Sequence, residues 1–103
     1  MARKQGDSTE TAQGIIELIG GDKGLSRLRA ARVEALPDGL IFNVMADNMT
    51  TEGIVVIRKV GEVYRLYWMQ LGKWVEARGL DGLQAGDVRP QLWKLIGKHE
   101  PAF

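Results

Sequence analysis

The chain has 103 residues, with 14 basic against 13 acidic side chains, one histidine and no cysteine. At 45% apolar and 26% charged residues it has the composition of a folded domain rather than of a disordered segment. These figures exclude disulfides, thiolate nucleophiles and cysteine zinc sites, and they do not fit attachment to duplex DNA by bulk charge.

Residues 1–7 read as a disordered polar tail, residues 8–97 as a single domain, and residues 98–103 as a frayed tail containing Pro101. No apolar stretch is long enough to span a membrane, and no apolar run follows the basic residues Arg3 and Lys4 as in an export signal, so the expected location is cytoplasmic. A helix is predicted from Ser8 to Ile19. Asp7 and Glu10 form a capping-box pair, and Ala12, Ile15, Ile16 and Ile19 recur at helical spacing. Gly20-Gly21 ends it. The segment Asp22–Arg32 is ambiguous: Leu25 and Leu28 fit a helix face, whereas Arg27 and Arg29 alternate as in a strand.

Leu36-Pro37-Asp38-Gly39 is a turn sequence, because proline presets φ, aspartate bonds nearby backbone and glycine accepts a positive φ. Strands over Leu28–Leu36 and Leu40–Ala46 would flank it, with a loop from Asp47 to Gly53. Three β-branched or aromatic runs follow: Ile54–Val60, Val63–Gln70 and Lys73–Arg78. They are separated by the tight turns Gly61-Glu62 and Leu71-Gly72, which predicts an antiparallel meander. Gly79–Gly86 reads as a loop. Asp87 is placed to cap a last helix through Gly97, with Val88, Leu92, Leu95 and Ile96 as its stripe and Trp93 packing it onto the sheet. The expected fold class is α+β. A hairpin plus a three-stranded meander form an antiparallel sheet of about five strands, with an N-terminal and a C-terminal helix on one face.

Two-residue turns fix a register. Val60 would pair with Val63, which brings Arg58 opposite Arg65, Ile57 opposite Leu66 and Val56 opposite Tyr67. Across the second turn Tyr67 would meet Glu76, and Arg65 would meet Arg78. Side chains alternate along a strand, so one face collects Ile57, Leu66, Ala77, Val55, Trp68 and Val75 without a charge. The other carries Arg58, Arg65 and Arg78 abreast, then Val56, Tyr67 and Glu76, then Ile54, Met69 and Trp74. A longer second turn would shift the last strand by one and move Arg78 and Trp74 to the core side.

Like charges directly opposite on a sheet repel, so three arginines abreast call for an anion. The plain reading is intramolecular, with Glu76 or loop carboxylates reaching the row. The functional reading makes Arg58, Arg65, Tyr67, Trp74 and Arg78 a ligand-binding face. Its ligand would be a protein, including a second copy of the chain, or alternatively single-stranded nucleic acid or another polyanion. Three phosphate contacts give a single-strand salt slope of only about −2, so nucleic-acid binding would need help from the secondary basic cluster Arg27, Arg29 and Arg32.

No catalytic constellation is expected. His99 stands alone beside Glu100 in the tail, where it lacks the ordered partner of a general base and the co-ligands of a metal. Gly20–Gly24 is glycine-rich but follows a helix, where a phosphate loop would follow a strand. No cofactor, metal or membrane partner is therefore expected. Arg58–Trp68 (R-K-V-G-E-V-Y-R-L-Y-W) resembles, over eleven residues, the arginine-bearing central hairpin of small ribosome-dependent endoribonuclease toxins. The element order departs from that family, since a hairpin precedes the meander and no strand precedes the first helix. The resemblance implies a ribonuclease as a third class of function and assigns no residue.

Overall fold

The computed structural model describes residues 2–72 and 76–101. Its elements are α1 (Ala2–Leu18), α2 (Gly21–Arg27), β1 (Ala30–Leu36), β2 (Gly39–Met45), β3 (Thr51–Val60), β4 (Val63–Gln70), β5 (Glu76–Leu83), a 3-10 turn (Ala85–Asp87) and α3 (Val88–Leu95). The five strands form one antiparallel sheet in the order β1-β2-β3-β4-β5, so every neighbour in the sheet is also a neighbour in sequence. This is the α+β architecture expected from the sequence, with helices on one side of the sheet.

Helix α1 runs through residues 2–7, which composition reads as a tail. Ala2, Arg3, Lys4 and Gln5 are good helix formers, so the helix continues past the point where Asp7 or Ser8 would cap it. Gly20 and Gly21 take positive φ (109° and 68°) and break it. The ambiguous segment divides. Residues 21–27 form α2, and Arg29, itself left-handed at φ 57°, turns the chain into β1. Asp87 holds the N-cap position of α3 but gives no side-chain cap bond. The preceding 3-10 turn puts its backbone at φ −95°, ψ −13°, whereas a capping side chain needs an extended residue.

The core lies between the helices and one face of the sheet. Ala12, Ile15 and Ile19 of α1 and Val88, Leu92 and Trp93 of α3 are buried with Leu40, Phe42, Val44, Val55, Ile57, Leu66 and Trp68 from alternating positions of β2, β3 and β4. The chain after α3 is tied back by two ion pairs. Lys98 Nζ meets Glu52 Oε1 at 2.8 Å, and Arg89 Nε donates to Glu100 Oε2 at 2.8 Å.

Candidate functional site: the outer face of the sheet

The β3–β4 register is the expected one: Val60 faces Val63, Arg58 faces Arg65, Ile57 faces Leu66 and Val56 faces Tyr67. The β4–β5 register is not. Gln70 faces Glu76, Met69 faces Ala77, Trp68 faces Arg78 and Tyr67 faces Gly79. The connection after Gln70 is therefore longer than a two-residue turn, and the described third meander strand, Glu76–Leu83, runs past the expected end at Arg78; the expected start at Lys73 lies outside the described residues. The amide of Leu71 still donates to Glu52 O at 2.9 Å, so β4 stays bound to β3 as far as the first residue of the expected turn.

An odd displacement along a strand exchanges its two faces. Arg78 consequently stands on the helix side of the sheet, opposite Trp68, and not in the arginine row. Trp74 lies outside the described residues. Of the five face residues expected from the sequence, the structure brings Arg58, Arg65 and Tyr67 together.

The place opposite Arg65 that Arg78 was expected to fill goes to Asp81. Between Tyr64–Leu83 and Leu66–Leu80, β5 carries one residue more than β4, and Gly82 takes φ 68° to accommodate the bulge. Asp81 in that bulge meets Arg65 Nε at 2.5 Å. On the other flank Arg58 Nη1 donates to Asp38 Oδ1 at 2.7 Å, from the β1–β2 turn. The turn is held to the strand because the Lys59 amide donates to Asp38 O at 2.7 Å. Two facing guanidiniums are thus bracketed by two carboxylates, Asp38–Arg58 and Arg65–Asp81. Hydrogen bonding and charge attraction from Asp81, and then Tyr67, raise the Arg65 pKa further above its ordinary value. All four side chains are well exposed (42% and 43% in one pair, 43% and 70% in the other), so water screens both pairs and they add little to the stability of the fold.

Below this row the face is apolar. Ile41, Val56, Tyr67 and Gly79 form one line across the strands, and Asn43, Ile54, Met69 and Ala77 form the next. Tyr67 and Met69 on β4 are 40% and 41% exposed, while Ile54 and Val56 on β3 are half-buried. Ile54, Val56, Arg58, Tyr67, Met69 and Ala77 line a shallow groove of about 370 Å³. Tyr67 inclines over Gly79, where an added Cβ would come within 3.3 Å of its ring. Among the described residues no helix covers this face; α1 and α3 pack their apolar stripes on the opposite one.

The sequence reading placed Ile54, Val56 and Met69 on this face but weighted the arginines instead. Its plain reading, loop carboxylates reaching the arginine row, holds for Arg58 and Arg65, but it did not single out Asp38, because that residue has a sufficient local role in the turn. It missed Asp81 because Leu80-Asp81-Gly82 looks like a loop, although an Asp-Gly pair inside a strand is a bulge signal.

The residues of the secondary cluster lie on different elements. Arg27 ends α2. Arg29 pairs with Asp47 at 3.0 Å, and Arg32 sits with φ 53° at the β1 bulge between Ala31 and Glu34. Among the described residues no group of three or more His, Cys, Asp or Glu side chains could hold a metal ion, and no helix is long and apolar enough to cross a membrane. No family model, curated protein or solved structure matches the chain.

Proposed function

We propose that the chain is a protein-binding module that works through the outer face of its sheet. The observation that carries this reading is the apolar band of Ile54, Val56, Tyr67 and Met69, open among the described residues and edged by ion pairs that are already closed. Tyrosine, methionine and arginine are the residue types enriched where proteins meet, and an apolar centre with a polar rim is the usual anatomy of such a surface. A polyanion on the same face would have to draw Arg58 from Asp38 and Arg65 from Asp81, and it would meet two carboxylates at the rim. That competition favours a protein over nucleic acid.

A photo-crosslinking side chain at position 69, compared with one at exposed Gln13 on α1, tests the proposal. The expected result is a protein adduct at position 69 alone that survives nuclease and disappears in Tyr67→Lys. A nuclease-sensitive adduct, or equal yields at both positions, would overturn it.

A further inference from the structure

We infer that the end of α3 carries a second site, a pocket for a small monocarboxylate with a flat apolar body about one ring in size. It lies on the helix side of the sheet and stands independently of the outer-face reading.

The pocket follows from how α3 stops. Gly97 takes φ 74°, and the chain reverses there. The Gly97 amide donates to Lys94 O at 3.0 Å and the Lys98 amide to Trp93 O at 3.1 Å, the pair of bonds by which a left-handed glycine closes a helix. The tail is thereby folded back along the last turn. Pro90, Trp93 and Lys94 from the helix and Lys98, His99 and Glu100 from the tail line a depression of about 290 Å³. The last helical carbonyls beside it, those of Trp93 and Lys94, are already hydrogen-bonded by the two amides.

The observation that points to a ligand is the indole of Trp93. The residue lines the pocket and is 4% exposed, yet its Nε1 has no hydrogen-bond partner. A buried tryptophan N–H normally finds an acceptor, because one left unpaired has forfeited its bond to water. Among the described residues one other buried side-chain polar atom lacks such a bond, Glu52 Oε1, and it has the Lys98 ammonium at 2.8 Å. The indole has no such counter-group.

Charge selects the ligand. Lys98 is paired with Glu52, and Glu100 with Arg89. Lys94 and His99 are exposed and have no ion-pair or hydrogen-bond partner among the described residues. One ammonium beyond two closed pairs suits a single negative charge, and the Glu100 carboxylate in the lining disfavours a dianion. A carboxylate accepts from both the indole N–H and the Lys94 ammonium, and the imidazole has an N–H to add. Pro90 and the Trp93 ring give the apolar body a surface to lie on. The volume is at the small end for ligand pockets, which limits that body to about one ring. Nε1 is shielded from solvent in this structure, so the carboxylate reaches it as the tail shifts. Both ion pairs that anchor the tail are partly exposed, and water competes with each of them.

Nitrogen–proton correlation spectra of the full chain, titrated with benzoate, read the outcome. The Trp93 indole signal is identified by its loss in Trp93→Phe. A saturating downfield movement of that signal is expected, with a Kd on the order of 1 mM, while the Trp68 indole signal stays in place. Lys94→Gln should weaken benzoate roughly 10-fold, and Lys23→Gln, which removes the same charge from α2, should leave it unchanged. Trp93→Phe, followed through the backbone amides of Lys98 and His99, should weaken it by a similar factor. Benzamide, which keeps the ring without the charge, should give no saturating movement. No saturation by about 20 mM benzoate overturns the site. Equal movement with benzamide overturns the anionic ligand, and tighter binding of inorganic phosphate overturns the monocarboxylate. Full affinity in Lys94→Gln or in Trp93→Phe overturns the role given to that side chain.

Discussion

Trp68 and Tyr67 are consecutive on β4, and each lies across a glycine of a neighbouring strand. The indole ring covers Gly53, where an added Cβ would come within 2.3 Å of Trp68 Cη2, and the phenol ring covers Gly79 at 3.3 Å. Trp68 is 2% exposed beneath the helices, and Tyr67 is 40% exposed on the bare side. The same device therefore ends in opposite roles. Inside, burial in one core cluster with Phe42, Val55 and Leu66 makes the ring a source of stability; outside, the ring lacks a partner layer among the described residues and remains available to one. Alternation along a single strand is enough to separate the residues that hold the fold from those that can be spent on recognition.

Substitutions can break this contrast in graded fashion. Trp68→Ala should have the largest effect, a loss of roughly 3–5 kcal/mol in urea unfolding, from lost burial and the cavity left behind. Gly53→Ala should follow at roughly 1–3 kcal/mol, because the indole has no room to retreat from the new methyl group. On the outer face, Tyr67→Lys should change stability by only about 0.5–1 kcal/mol in the same assay while abolishing the position-69 adduct. A core-sized loss there would mean that the two faces are not distinct. Smallest of all, Arg65→Met should move the urea midpoint least of the four variants, and the shift should shrink further as salt is added to the unfolding buffer.

Most of the architecture was legible in the residues. The 3.6-residue stripes at Ala12–Ile19 and Val88–Ile96, the Pro37-Asp38-Gly39 turn and the Gly61-Glu62 turn each carry a local signal strong enough to fix an element or a pairing. The arginine row illustrates where that legibility fails. Arg58 opposite Arg65 followed from one short turn, so a local rule sufficed. Arg78 depended on a second connection whose length no local rule determines, and the observed register turned its side chain to the other face. The same connection decided that Gly79–Leu83 belongs to a strand rather than a loop and that Asp81 reaches Arg65.

By itself, then, the order of side chains determined the α+β class, the central hairpin and the chemistry of its two faces, because periodicity and turn conformation act over a few residues. Only the tertiary structure decided which face the helices cover, where the last strand stops sliding and which carboxylates close the arginine pairs. Those outcomes depend on packing between segments far apart in the chain, which the preferences of neighbouring residues do not encode.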